Sequence, residues 1–437
     1  MPHLGRAVWI LLAAALVIRL LYVVATPGYV LVHDAKDYDR HARSIAIGHG
    51  YADSVRPSRP TAFRPPGFPV LLAGVYKVAG VERAQEARRV LPARIVQAVL
   101  GTLIVGLVGL LAAQLWDRRV SLVATALAAV YLPLILVGGS VMSEPLFAAL
   151  LLSALAAALA HRESGHRFRF ALLAGFLAGL TILTRANAGV LLAPLAYAVW
   201  NATPRLSWRA LAPPAALVAM AILTVSPWTI RNALELHEFV PVSTQLGSAL
   251  AGTYNDQART DRENPASWRS RHHGLKEYEP LYARARRTNE AVLEKQLRKR
   301  AMEYISDHPG YLATVAFWTS ARMLDLAGMD WSRHTASTIS VGPDWATAGV
   351  ACFWIFAVLA LAGAFTAQAR RAPWFFWAVP VLLYLGVVLL VVETPRYRTG
   401  IDPFIVMLAA LVLTRRAPRG DGPRPADDAQ AARPMAM

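Results

Sequence analysis

The chain has 437 residues, of which 55% are hydrophobic and only 17% charged, and its mean hydropathy is +0.37. Soluble domains carry about 25% charged residues, so the composition excludes an ordinary soluble protein and leaves a polytopic membrane protein. A formal charge of +17 would suggest nucleic acid in a soluble chain, but here the positive-inside rule accounts for it. The single cysteine, Cys352, excludes an internal disulfide framework and a Cys-based zinc site.

The first apolar run, Ala7 to Ala25, follows Arg6, lacks an A-x-A-like cleavage site and outruns a signal peptide, which predicts a retained span. Further runs fall at about 90–113, 120–138, 145–160, 170–184, 188–200, 210–228, 345–364, 374–392 and 401–414. Ten spans of about 20 residues would occupy roughly 200 positions. Arginine-rich connectors at Asp117-Arg118-Arg119, Arg162 to Arg169, Arg205 with Arg209, Arg370-Arg371 and Arg415-Arg416 all fall inside if the amino terminus is inside. The predicted fold is therefore all-α, with about ten transmembrane helices and both termini cytoplasmic.

Residues 1–228 form an amino-terminal transmembrane module whose first outer loop spans 26–89. A long extracytoplasmic segment occupies 229–344, and residues 345–414 return as carboxy-terminal transmembrane helices. Within the long segment, 311–328 is apolar but contains Arg322 and Asp325, which predicts an interfacial or re-entrant helix. The tail 415–437, rich in Arg, Pro, Ala and Asp, reads as a disordered cytoplasmic tail.

In the first loop, Asp34 comes about nine residues after the first span, close to the membrane interface. Partial desolvation there raises a carboxylate pKa towards the range of a general base. Asp34, Tyr38 and Ala42 recur at i, i+4 and i+8 and share one helical face, while Asp37 lies about 300° round the helix. Asp34 could equally be a helix cap that performs no chemistry. The run Arg64-Pro65-Pro66-Gly67-Phe68-Pro69 reads as a rigid, non-helical turn into the apolar stretch Val70 to Ala79, with Gly67 permitting close backbone approach.

Ser143-Glu144-Pro145 reads as a helix start, Glu144 complementing the dipole if it is not a binding residue. Arg185, in an outer turn, breaks the positive-inside pattern, which favours anion binding. Arg231, Arg396 and Arg398 also lie near the outer leaflet on separate turns. Guanidinium forks suit phosphate oxygens, so a converging set would hold a lipid phosphate. Snorkelling to lipid headgroups is the alternative for any one of them. Aromatic residues at Trp268, Tyr278, Tyr282, Trp318 and Trp331 suit sugar stacking or interfacial anchoring. His33, His41 and His49 recur every eight residues, which is no metal-ligand spacing, so neither a metal nor a cofactor is expected.

Seven elements occur in order: Asp-x-x-x-Tyr-x-x-x-Ala from Asp34, Gly-x-Gly-Tyr at 48–51, Arg-Pro-Pro-Gly-Phe-Pro from Arg64, Ser-Glu-Pro-Leu-Phe at 143–147, Leu-Thr-Arg at 183–185, Pro-Trp-x-x-Arg-Asn at 227–232 and Arg-Tyr-Arg at 396–398. This pattern resembles the bacterial membrane glycosyltransferases related to dolichyl-phosphate-mannose protein mannosyltransferases and aminoarabinose transferases, the type C fold. The resemblance implies a multi-pass cell (inner) membrane enzyme that moves a sugar from a polyprenyl-phosphate donor to an extracytoplasmic lipid, glycan or protein, with inversion. It implies Asp34 as the catalytic aspartate. Ala35 stands where the family commonly has a second acidic residue, which leaves Asp37 as the substitute. Arg64, Arg185, Arg231, Arg396 and Arg398 would hold the donor phosphate, and Tyr38, Glu144, Asn232 and Tyr397 would contact substrate.

The rival class is a polytopic transporter or flippase of a lipid-linked or anionic substrate. Transporters place polar residues near the bilayer midplane and show internal repeats. The polar residues here gather at the outer rim, which favours an interfacial enzyme. A polysaccharide ligase or polymerase would share the lipid donor.

Overall fold

Over their described residues the ten apolar runs are largely helical in the computed structural model. The structure describes residues 5–53, 59–165, 167–200, 203–204, 206–270, 275–285, 289–390 and 394–414, and among them no β-strand forms. The tail 415–437, Arg205 and Arg415-Arg416 lie outside the described residues. The amino-terminal half runs through α1 (Arg6–Ala25), α2 (His33–Ala46), α3 (Gly67–Val78), α4 (Glu86–Leu115), α5 (Arg118–Val130), α6 (Leu132–Gly138), α7 (Glu144–Glu163) and α8 (Phe168–Thr184). A 3-10 turn at Ala186–Leu191 leads to α9 (Leu192–Val199) and the long α10 (Trp208–Leu236). The segment beyond it contains α11 (Gln245–Thr253), α12 (Asp256–Thr260), α13 (Glu279–Ala285), α14 (Glu290–Asp307), α15 (Tyr311–Met323) and α16 (Met329–Ser337). The chain returns through α17 (Pro343–Ala364), α18 (Trp374–Leu390) and α19 (Asp402–Leu413).

Among the described residues α1, α4, α7, α10 and α17 are long and apolar enough to cross a membrane, and the bent pair α5–α6 makes a sixth. The helices α8, α18, α19 and the 3-10 turn with α9 are shorter apolar elements. The central helix is α7: 78% of its apolar window is buried, against 22% for α10 at the periphery. Its alanines allow this, because small side chains let neighbouring backbones approach closely in a membrane.

The predicted third span is broken at Tyr131, where α5 and α6 meet at 54°. Pro133 has no N–H, so it cannot satisfy the Ala129 carbonyl four residues back. Arg19, buried in α1, donates from Nη1 to that carbonyl at 3.2 Å and from Nη2 to the Ala128 carbonyl at 3.3 Å. A charge within the first span is thereby accommodated by the break in its neighbour.

The proline-rich run departs from the expected non-helical turn. Helix α3 begins at Gly67 and includes Pro69, which the first turn tolerates because its N–H would have no intrahelical partner anyway. Close approach at Gly67 is real: a Cβ there would lie 2.6 Å from the Thr184 hydroxyl and 3.0 Å from the Leu183 carbonyl. The loop motif thus abuts the turn carrying Arg185.

Candidate active site

Helix α2 presents Asp34 and is fixed from its other side. Asp39 is fully buried and accepts from Arg89 Nη2 at 2.5 Å and Nε at 2.7 Å, a bidentate pair that bolts α2 to α4. The Tyr76 hydroxyl of α3 adds a bond to Asp39 Oδ1 at 2.9 Å. Asp34 is no helix cap: Val32 holds that position, and the Asp34 carboxylate turns outward to two arginines.

Arg64 donates from Nη2 to Asp34 Oδ1 at 2.6 Å and from Nε to Asp37 Oδ2 at 2.9 Å. Arg396 donates from Nη2 to Asp34 Oδ2 and places Nε 3.6 Å from Glu144 Oε1. Arg185 Nη1 pairs with the same Glu144 oxygen at 3.0 Å. The Tyr397 ring lies between two guanidiniums, 4.5 Å from Arg185 and 5.0 Å from Arg396. Tyr38 stands under Arg64, 5.3 Å from ring centre to guanidinium, and its hydroxyl meets Ser143 Oγ at 3.1 Å. Three carboxylates and three guanidiniums from five separate stretches of chain therefore form one balanced network, held by α2, the 64–66 strap, the start of α7, the end of α8 and the turn before α19.

The electrostatics correct one expectation. Burial does push the Asp34 carboxyl up, but the Arg64 and Arg396 guanidiniums outweigh it and hold the group well below the usual carboxylate range. With its arginines in place, Asp34 is an ionised and weakly basic partner rather than a base poised near neutrality.

The remaining predicted residues lie elsewhere. Arg398 is buried against Asp325 Oδ2 at 3.1 Å and Asp402 Oδ1 at 3.0 Å, and it also donates to the Met323 carbonyl. Arg231 donates to the carbonyls of Thr61 at 2.7 Å and Tyr51 at 2.8 Å. Asn232 is fully buried and donates to the Val240 carbonyl at 3.1 Å. Sequence reasoning did not find Asp325 or Asp402 as the partners of Arg398, nor Ser143 as the link between Tyr38 and Glu144. A groove beside the network is lined by apolar Leu136, Val137, Ile339, Val341 and Val350 together with Arg396, Arg398 and Thr394. Among the described residues, no three His, Cys, Asp or Glu side chains are grouped to hold a metal.

Residues 63–230 match the sequence model of the dolichyl-phosphate-mannose-protein mannosyltransferase family, a range that includes Arg64, Glu144 and Arg185. No curated protein matches the sequence. Among solved structures, the chain is similar to the archaeal oligosaccharyltransferase AglB from Archaeoglobus fulgidus in complex with an inhibitory peptide and a dolichol-phosphate, at 14% identity and a TM-score of 0.51 over 92% of this chain and 50% of that one. The same protein in complex with zinc and sulfate aligns at 14% identity and a TM-score of 0.51, over 92% and 48%. ArnT from Cupriavidus metallidurans bound to undecaprenyl phosphate aligns at 16% identity and a TM-score of 0.45, over 93% and 77%. The chain spans about half the length of the AglB chain it matches. Over residues 63–230 the chain is thus similar in sequence to the dolichyl-phosphate-mannose-protein mannosyltransferases, and its overall fold is similar to that of the archaeal oligosaccharyltransferase.

Proposed function

We propose that the protein transfers a sugar from a polyprenyl-phosphate donor to an extracytoplasmic acceptor hydroxyl, at the outer face of a bacterial inner membrane. The observation that carries the reading is the double placement of Arg396. Its guanidinium borders the apolar groove and also grips Asp34, so a prenyl tail in the groove would bring its phosphate to the candidate base. Thr394, 92% buried by its 8% exposure, borders the same groove with its hydroxyl oxygen unpaired. A phosphate oxygen would satisfy it.

In the proposed reaction the acceptor O–H gives its proton to an Asp34 oxygen while the acceptor oxygen attacks the anomeric carbon. The bond from that carbon to the phosphate oxygen breaks, and its electron pair leaves on polyprenyl phosphate, with inversion. Arg396 and Arg185 neutralise the departing charge. Asp37 shares Arg64 with Asp34 and is the second acidic candidate. Arg64 serves here as the partner of both carboxylates. Tyr38, Glu144 and Tyr397 position the arginines, and Arg398 stiffens the turn that carries Arg396.

Because each guanidinium of the network already pairs with a carboxylate, an incoming phosphate must compete with a carboxylate for a guanidinium. Capture of Arg396 by the donor would free Asp34 Oδ2 and raise its basicity, so that the base is released only when the donor is seated. The test is reconstitution of purified protein in vesicles containing an undecaprenyl-phosphate sugar and candidate acceptors. Release of undecaprenyl phosphate coupled to acceptor glycosylation is expected; movement of the intact donor across the bilayer without sugar transfer would overturn the reading.

A further inference from the structure

Two charged residues of opposite sign meet on one short strap of the first outer loop. Arg231, at the outer end of α10, donates to the carbonyls of Tyr51 and Thr61. Glu290, the first residue of α14, accepts from the Ala62 N–H at 2.5 Å and from the Thr61 hydroxyl at 2.7 Å. Thr244 completes the seat: its hydroxyl reaches Glu290 Oε1 at 3.2 Å and its N–H reaches the Ala62 carbonyl at 3.0 Å. The carbonyls thus face a cation and the donors face an anion, across a stretch whose described residues form no helix and pair only through the isolated bridge between Ala52 and Pro60.

The strap leads directly into Arg64. Phe63 N–H is turned back onto the Thr61 hydroxyl at 3.0 Å, and the Tyr51 hydroxyl holds the Arg64 carbonyl at 2.9 Å. Tyr51 is itself stacked on His41 of α2 at 4.9 Å, and His41 Nδ1 lies 2.7 Å from the Ala52 carbonyl. Arg64 is therefore placed from two directions, by α2 below and by the long outer segment above. We propose that Arg231 and Glu290 are positioning residues for Arg64: they clamp the 61–62 strap so that the Arg64 guanidinium spans Asp34 and Asp37. This rests on the glycosyltransferase reading for its catalytic consequence, while the clamp itself is a matter of structure.

The guanidinium fork and the carboxylate are both required by this geometry, so charge alone is not enough. Arg231→Lys keeps the charge and loses one of the two carbonyl contacts. Glu290→Gln keeps one acceptor oxygen for the Ala62 N–H. Thr61→Val removes only the hydroxyl and tests the same strap with little risk to folding.

The consequence is readable in the pH profile. Asp34 is faced by Arg64 from the strap and Arg396 from the last outer turn, with Asp37 and Tyr38 beside it on α2 and Glu144 across Arg396. A loosened Arg64 would hold the Asp34 proton affinity down less firmly. Glu290→Ala, Arg231→Ala and Thr61→Val should then lower kcat about 10-fold to 100-fold with little change in donor KM, as expected when a group is misplaced by about 1 Å. The acid limb of kcat/KM should move to higher pH, and Glu290→Gln should recover part of both effects.

Hydrogen exchange provides the readout that does not depend on catalysis. Exchange at the Ala62 amide should rise about ten-fold or more in Glu290→Ala relative to the parent protein, since a local opening of the strap exposes it. Unchanged Ala62 exchange, or unchanged kcat and acid limb in all three variants, would overturn the clamp. Absence of sugar transfer by the parent protein would overturn the enzymatic reading, and Ala62 exchange would still decide whether the strap is clamped.

Discussion

Arg396 reaches back across 362 residues of sequence to donate to Asp34 Oδ2, while Arg64 occupies Asp34 Oδ1. Both oxygens of the candidate base are thus engaged by cations, and no lone carboxylate faces the groove from α2. In the proposed mechanism a base held this way would protect an activated sugar from water, because it would not deprotonate a passing hydroxyl until one guanidinium is drawn off.

Asp34→Asn removes the proton acceptor and keeps the shape. Transfer should fall by about 10²-fold to 10⁴-fold, the usual contribution of a general base. Donor affinity should hold or improve, because Arg396 loses its competing carboxylate. Single-turnover rates and donor binding on the purified variant check this, and transfer within ten-fold of the parent would move the base to Asp37.

Arg396→Ala should act on two measurements at once. A charge-assisted bond to phosphate contributes about 1.5–3 kcal/mol, so donor affinity should fall about 10-fold to 150-fold. Asp34 would also lose one of the two guanidiniums that keep its carboxyl low, so the acid limb of kcat/KM should rise in pH. A variant with reduced affinity and an unmoved limb would mean that Arg396 binds donor without governing the base.

Much of this site was legible in the sequence because lipid imposes a simple rule: charges at the outer ends of apolar runs must sit at the interface. Asp34, Glu144, Arg185 and Arg396 stand out that way, Arg64 enters only through the motif it begins, and the structure brings all five together. What the rule could not give was pairing. Arg396 and Arg398 are two residues apart in one motif, yet they sit in a 3-10 turn where i and i+2 point about 120° apart. One therefore reaches Asp34 and the other Asp325 and Asp402. Arg231 broke the charge rule as Arg185 did, but its partners are backbone carbonyls, which carry no sequence signature. The break at Tyr131 was open to reading from Pro133, whose missing N–H leaves Ala129 to Arg19.

The buried pair beneath α2 predicts a purely structural loss. Asp39 and Arg89 side chains are 0% and 6% exposed, and Asp39→Ala would leave the Arg89 guanidinium buried without its anion. Removing one partner of a buried pair costs about 3–5 kcal/mol. Thermal unfolding of the detergent-solubilised protein should show a clear drop in Tm, and the double variant Asp39→Ala with Arg89→Met should recover part of it. A single variant as stable as the parent would show that α2 is held by its apolar contacts alone.

The coupling of donor capture to base release has a kinetic signature that needs no mutation. The pH dependence of kcat/KM reports groups in the free enzyme, while that of kcat reports the donor-bound complex. In the free enzyme Asp34 is held low by Arg64 and Arg396, so it loses its proton well below the ordinary aspartate value of about 3.9 and its acid limb lies at low pH. If donor phosphate takes Arg396, only Arg64 still holds the carboxylate down, and the burial that pushes it up is unchanged. Asp34 then keeps its proton to higher pH in the complex, so activity under saturating donor should fail on acidification before kcat/KM does. The expected result is an acid limb of kcat displaced to higher pH than that of kcat/KM, with the two limbs coinciding in Arg396→Ala. Coincident limbs in the parent protein would mean that Arg396 stays on Asp34 throughout, and that the donor phosphate is met by Arg185 or another cation instead.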